Sequence, residues 1–408
     1  MIKNRPFLAK VFGVLSFLLL ILLSGSPLQT IILNINNLIF VVLGLSLLLF
    51  LCLKKRPHRI QTIGLILLSF MVFATAIVHF GGELSSHVKL YCFILSGFFI
   101  AQFFDARKFA SFFVDAMFFL AIIGIIGYFL SNTTILLDRL PLMTNSNGVS
   151  YKIGYIFNFI VESKVRNCGP FWEPGIFASY LIISLFMELL ILKRKKTILF
   201  SIIFVIALIT TTSTAGYFLL LLIVPCFFLN SNKKSAISTI FSGCVVVALF
   251  LILLNLDSII LGTGLSNNEY FAKLLSENLE NSARVTALSH NFIMFSKSPL
   301  FGCGFAVVEQ NMVYCGDIST STYILSVYGF MGIFYSIMLV FGIFNFKRIG
   351  FLHRLLFASA VLLIVNKEPH TSFLITWIFI FVMLPGSKEE NSTVRGKNLN
   401  ASLLLVYE

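Results

Sequence analysis

Apolar runs fill most of this chain, and polar residues are confined to short breaks between them. A helix of ~20 apolar residues crosses the hydrocarbon core of a bilayer, and stretches near that length recur from end to end. The pattern predicts twelve spans, at Leu8–Leu23, Ile31–Leu53, Ile60–His79, Leu90–Phe104, Ala110–Leu130, Pro174–Leu192, Ile198–Thr210, Ala215–Leu229, Ala236–Leu254, Tyr323–Phe346, Phe351–Val365 and Phe373–Leu384. The seventh and twelfth are short. The seventh has independent support, because Lys193-Arg194-Lys195-Lys196 and Lys233-Lys234 should share a side, while the apolar stretch between them is too long for one crossing. A helical hairpin turning at Thr211-Thr212-Ser213-Thr214 satisfies both conditions. Leu8–Leu23 lacks a small-residue cleavage site and reads as a retained span rather than a signal peptide. The fold class expected is an all-α polytopic membrane protein, with one integral membrane domain over residues 1–386 and a tail over 387–408.

Composition agrees: 58% of the 408 residues are hydrophobic, far above a soluble domain's usual share. Charge then adds direction. Lys54, Lys55, Arg56, Arg59, Arg107, Lys108, Lys193 to Lys196, Lys233, Lys234, Lys347 and Arg348 all fall on one side of the predicted spans, with few acids beside them. This is the positive-inside pattern. The net charge of +13 is accordingly a topology signal and calls for no nucleic-acid partner. Both termini are expected in the cytoplasm, and two long loops, about 131–173 and 257–322, are expected outside. Most acids lie in those loops, so function is to be sought there.

One polar island stands out, Arg166-Asn167-Cys168-Gly169-Pro170-Phe171-Trp172-Glu173-Pro174-Gly175, at the lip of the sixth span. Charges so close to hydrocarbon are costly unless used or paired. The guanidinium of Arg166 is a planar fork of donors suited to phosphate oxygens; snorkelling to the headgroup layer is the plainer reading. Glu173 precedes a proline suited to a first helical turn. It is either an acid favoured by the helix dipole or a general base near the hydrocarbon edge. Trp172 is an interfacial belt residue or a platform for a sugar ring.

The second outside loop carries Arg284, expected in the first turn of a helix that Asn281 or Ser282 caps, with Ala287, Leu288, Asn291, Phe292 and Phe295 as its apolar stripe. A cation there opposes the dipole, and an anion near the helix start would justify it. The helix should stop at Lys297-Ser298-Pro299. The glycine turn Gly302-Cys303-Gly304 that follows would allow close approach of backbone to a neighbouring helix or ligand. In Asn366-Lys367-Glu368-Pro369-His370-Thr371, helix capping and snorkelling compete with Glu368 or His370 facing the same cavity as Arg166 and Arg284. Lys89 and His87 are further candidates. Cys303 and Cys315 lie outside, where disulfides persist; a bridge between them closing a tight loop is one reading, two free thiols the other. No Ser–His–Asp arrangement, HExxH or Walker loop occurs, and neither a cofactor nor a metal is expected. Beyond the nucleotide pool a donor must carry its own leaving group, as a polyprenyl diphosphate does. Two arginines from separate loops are what a diphosphate clamp needs.

Three segments then show a family resemblance. Arg166-x-x-Gly169-x-Phe171-x-Glu173-Pro174 opening a span resembles the bacterial O-antigen polymerase (Wzy-type) and O-antigen ligase superfamily. So do Thr212-Ser213-Thr214-Ala215-Gly216-Tyr217 at the hairpin turn, and Arg284 followed by Ser298-Pro299-Leu300-Phe301-Gly302-Cys303-Gly304-Phe305. The likeness covers roughly Arg166 to Phe346 and is only topological over the first five spans. It implies a GT-C-like, metal-independent, inverting glycosyltransferase in the bacterial cytoplasmic (inner) membrane. This enzyme would polymerise undecaprenyl-diphosphate-linked repeat units of O-antigen, capsule or a similar polysaccharide. It implies that Arg166 and Arg284 hold the diphosphate while Glu173 orients or deprotonates the acceptor, and that a flippase and a chain-length regulator are partners. Ligases of the superfamily usually carry a His at the mouth of the tenth span, where this chain has Asp317-Ile318-Ser319-Thr320-Ser321-Thr322-Tyr323. That favours a polymerase over transfer to lipid A-core, and leaves the base open among Glu173, Asp317 and His370. A flippase or other transporter is the reading from a different class. It would want charges within the spans, where Asp115 and Glu188 are rare exceptions.

Overall fold

A computed structural model describes residues 21–31, 35–53, 56–80, 84–131, 139–145, 148–154, 156–161, 166–229, 283–311, 316–347 and 349–385. These residues are mostly helical. The helices introduced here are α1 (Ile35–Leu53), α2 (Arg59–Val78), α3 (Leu84–Ala101), α4 (Ala106–Ser131) and α5 (Pro174–Phe186), which runs on through a π-helical turn at Met187–Leu192. Then come α6 (Thr197–Thr211), α7 (Thr214–Leu229), α8 (Ala283–Lys297), α9 (Gly304–Gln310), α10 (Thr320–Tyr328), α11 (Ile333–Phe344), α12 (Phe351–Val365) and α13 (Leu374–Met383). Among the described residues, five stretches are long and apolar enough to cross a membrane: Arg59–Val78, Leu84–Ala101, Ala106–Ser131, Pro174–Leu192 and Thr320–Phe344. Shorter apolar helices cover parts of the other expected spans, among them Thr197–Thr211, Phe351–Val365 and Leu374–Met383. The expected first and ninth spans, Leu8–Leu23 and Ala236–Leu254, fall wholly or almost wholly outside the described residues, as does the tail.

The expected hairpin is present, with α6 and α7 joined at Thr212-Ser213. The described residues are mostly helical, as expected, and two local features are added. Residues of the first long loop form a small three-stranded antiparallel sheet, β1 (Leu142–Thr144), β2 (Ser150–Ile153) and β3 (Asn158–Ile160), in the order β1-β2-β3. Within the Thr320–Phe344 stretch, which matches the expected tenth span, Tyr328 gives way to a 3-10 turn at Gly329–Gly332 before α11 begins.

Close backbone approach explains the break. Gly302 (φ +71) lies so near the α10 end that a Cβ there would sit 2.2 Å from the Val327 carbonyl carbon and 2.5 Å from the Tyr328 nitrogen. Gly329 (φ +63) meets the same segment from the other side, 2.4 Å from Pro299 O by the same construction. Cys303 N–H donates to Ser326 O at 2.9 Å and Phe330 N–H to Pro299 O at 2.7 Å. The glycine turn is thus a backbone-on-backbone joint, as its sequence suggested. Cys303 is a buried free thiol whose S–H donates to Met294 O at 3.2 Å. The other half of the bridge considered above, Cys315, lies outside the described residues.

Elsewhere the helices pack through large side chains. Trp377 on α13 is fully buried, donates through Nε1 to Thr371 O at 3.0 Å, and stacks edge-on against Tyr335. Far from the polar island, at the opposite end of α5, Arg194 gathers the two in-span acids. It pairs with Asp115 and lies 3.5 Å from Glu188, whose other oxygen accepts from Thr197 at 2.7 Å. These acids therefore form a structural corner with Arg194.

Candidate functional site

The polar island is built onto the α6–α7 turn. Thr212 ends α6 in the left-handed region (φ 47, ψ 35), a conformation that a β-branched residue adopts only under constraint. Arg166 supplies that constraint. Its Nε donates to Thr211 O at 3.2 Å and to Thr212 Oγ1 at 2.8 Å, and its Nη2 to Thr212 O at 2.9 Å. Among the described residues Nη1 is left open, and the side chain is only half-buried. Asn167 continues the seam: its N–H donates to Thr210 O at 3.0 Å and its Nδ2 to Thr210 Oγ1 at 2.8 Å. Cys168 is buried and its thiol is pushed up to about 12 by desolvation, so it is no nucleophile.

Lys367, beyond α12, reaches the same turn. It is almost fully buried and donates through Nζ to Gly175 O and to Ser213 Oγ, each at 3.2 Å. Glu368 is buried next to it. A Cβ on Gly175 would lie 2.6 Å from Glu368 Oε1 and 3.1 Å from Lys367 Nζ, so the glycine of the island is the space those two side chains occupy. Gly175→Ala is expected to displace the carboxylate and cost about 1–3 kcal/mol, read as a lowered thermal midpoint of the purified protein. A midpoint equal to wild type would show that the pair has room to move.

Thr320, at the start of α10, joins this layer to the next. Its Oγ1 donates to Glu368 O at 2.9 Å and accepts from His370 N–H at 2.8 Å. The same hydroxyl lies 3.2 Å from Asp317 O. Asp317 sits on a 3-10 turn, Gly316–Ile318, and burial pushes its carboxyl up, with Lys89 nearby opposing the shift. His370 is enclosed, its Nδ1 2.8 Å from Thr376 Oγ1. Burial, reinforced by the adjacent Lys367, lowers its pKa to about 3. Its Nε2 has no partner among the described residues, and the ring borders an apolar cavity of about 20 Å³. That space has the size of about one water molecule and is far too small for a sugar.

His370 makes folding pH-dependent with a definite sign. Its folded pKa is below the unfolded value of 6.5, so between those values the unfolded chain binds more protons and stability falls as pH falls. The contribution is complete above about 6.5 and declines towards 3, by at most about 1.4 kcal/mol per pH unit. His370→Asn should flatten the acid side of the curve of thermal midpoint against pH; an unchanged slope would place the proton elsewhere.

Other expected residues are placed as follows. Glu173 occupies the N-cap position of α5 with Pro174 as the first helical residue, yet its side chain is exposed and makes no capping bond. Trp172 packs against Phe373, ring centroids 5.4 Å apart, and its N–H donates to Gly25 O at 2.8 Å, so one face serves packing. Arg284 is the second residue of α8, within the first turn as expected; its side chain lies outside the described residues, as do Asn281 and Ser282. That helix packs on α10 and on the Gly316–Ile318 turn, with Asn291 Nδ2 donating to Thr322 Oγ1 at 3.1 Å. Its buried face is Ala287, Asn291 and Met294. Leu288 and Phe292, expected in the stripe, are exposed instead, because the three buried positions follow the helical repeat more closely. His87 is committed to packing, 3.2 Å from Tyr328 Oη and edge-on to Phe305.

The structure therefore joins Arg166, Lys367, Glu368, His370 and Asp317 through Thr212, Ser213, Gly175 and Thr320. Lys367 is the residue that the sequence reading passed over. Its signal was an ammonium next to a glutamate at a span end, which looks the same whether buried or snorkelling. Comparison with protein-family models, curated proteins and solved structures finds no match to this chain.

Proposed function

We propose that this chain is a polymerase of undecaprenyl-diphosphate-linked oligosaccharide repeat units, acting at the outer face of a bacterial cytoplasmic membrane. In this reading twelve spans carry the chain, both termini are cytoplasmic, and the Arg166–Gly175 end faces outward. The observation that carries it is the half-buried guanidinium of Arg166, fixed by three bonds to one turn with Nη1 open among the described residues. An arginine wanted only for snorkelling gains nothing from such fixation. A phosphate ligand does, because a preset donor costs no reorganisation when charge develops.

The step balances simply. A hydroxyl oxygen of one lipid-linked repeat unit attacks the anomeric carbon of the growing chain with inversion. The bond from that carbon to the diphosphate oxygen breaks, and undecaprenyl diphosphate leaves with the electron pair, met by Arg166 and Arg284. The hydroxyl proton passes to a carboxylate. Glu173 is exposed beside the site, and Asp317 is held at a raised pKa, nearer the range a base needs. His370 reaches the mouth of the Thr320–Phe344 helix through Thr320, but so low a pKa makes it a poor base, and a ligase reading gains nothing from it. The corner formed by Arg194, Asp115 and Glu188 likewise gives a transporter no charged cavity.

Purified protein in nanodiscs, supplied with a synthetic undecaprenyl-diphosphate repeat unit and no nucleotide, should give a ladder of longer glycans. One product on lipid A-core would instead make it a ligase, and translocation without new bonds a transporter. A flippase and a chain-length regulator are the partners this reading implies.

A further inference from the structure

Lys367 has no role in the scheme above, yet its placement is costly. At 5% exposure the ammonium has given up its hydration, and it donates inward to Gly175 O and Ser213 Oγ. The two acceptors explain the choice of residue position. Ser213 directly follows Thr212, the left-handed residue that Arg166 grips, so one two-residue turn is held by a guanidinium at its first residue and an ammonium at its second. Ser213 also receives Gly216 N–H on the same oxygen at 3.3 Å, which ties the start of α7 to the Lys367 contact. Left-handed Thr212 stores strain, and strain persists only where the surroundings over-determine it. Gly175, at the start of α5, supplies both the carbonyl and the missing Cβ that this arrangement requires.

We infer that Lys367 is a positioning residue: it anchors the Thr212-Ser213 turn so that Arg166 presents its Nη1 edge to a diphosphate in one direction. The inference rests on the reading of Arg166 as a phosphate ligand. Lys367 does not itself touch the ligand, because its ammonium is buried under the turn.

The test is a double-variant cycle on ligand binding. Undecaprenyl diphosphate is titrated into purified protein in nanodiscs, for wild type, Arg166→Ala, Lys367→Met and the double variant. Lys367→Met is expected to weaken binding by about 10- to 100-fold, the scale of an ångström of misplacement. The double variant should bind no more weakly than Arg166→Ala alone, because the two residues act as one unit. Ser213→Ala cuts the link from the ammonium to the turn while leaving its bond to Gly175, and should weaken binding in the same direction; it carries the test if Lys367→Met fails to fold. A purely structural lysine would lower the thermal midpoint without coupling to Arg166. Binding by Lys367→Met or Ser213→Ala within twofold of wild type overturns the inference, as does a double variant weakened by the product of the single effects. Wild type that does not bind undecaprenyl diphosphate overturns it together with the clamp. Coupled binding without any glycan ladder would support the positioning role while removing the polymerase. A ladder that survives both Lys367→Met and Ser213→Ala would do the reverse.

Discussion

Arg166→Ala should reduce the initial rate of ladder formation by about 100-fold or more, the usual effect of removing one preset donor from a developing anion. Two losses combine in that number. The open Nη1 edge disappears, and so do the bonds to Thr211 O, Thr212 O and Thr212 Oγ1. Hydrogen bonds to charged groups contribute about 1.5–3 kcal/mol each, and the side chain's partial exposure discounts them, so the thermal midpoint should also fall. Arg166→Lys separates the terms. An ammonium can reach one carbonyl of the turn and recover part of the midpoint, but it lacks the second edge of the fork and should restore little of the rate. Full activity in Arg166→Ala, at wild-type protein levels, would remove the diphosphate clamp altogether.

Gly302→Ala should have the largest effect on folding. The new methyl carbon would sit 2.2 Å from both the carbon and the oxygen of the Val327 carbonyl, and these are backbone atoms that cannot rotate away. The surrounding joint is fixed by the Cys303-to-Ser326 and Phe330-to-Pro299 bonds. A φ of +71 adds the left-handed penalty of a residue with a side chain, about 1 kcal/mol. The sum exceeds about 4 kcal/mol, the range reserved for severe core disruption. The expected result is little monodisperse protein after detergent extraction. Gly44→Ala is the control, because a Cβ there meets nothing within 4 Å and replaces a helical glycine by a better helix former. Equal yields from the two variants would mean that the Gly302 joint can open.

Elements with strong local signals were legible in the sequence. Pro174–Leu192 and Phe351–Val365 match their expected bounds, since a proline or glycine opens each and polar residues close it. The α6–α7 turn followed from two basic clusters and a run of hydroxyl residues. The small sheet was missed because its strands have only three or four residues, too few for alternation to register; Asn147-Gly148 was the hairpin signal that could have found it. The break at Gly329 was hidden for another reason. Nothing near position 329 says that residues 299–302 will press against it. The site divides in the same way. Arg166 and Glu173 announce themselves against an apolar background, whereas the partnership of Lys367 with Gly175 spans 192 positions and leaves no local trace.

That separation has a consequence for how the protein is made. Arg166 emerges from the ribosome 45 positions before Thr211, so its grip on the turn waits for the helical hairpin to enter the membrane. Ser213 and Gly175 wait far longer, until residue 367 has been translated. This polar layer is therefore closed only after residue 367 has been translated, long after α5, α6 and α7 have been made. A nascent chain arrested before α12 would present Arg166 and its turn without Lys367 beneath them, and a cell would meet such a chain as an incomplete protein, open to proteolytic clearance.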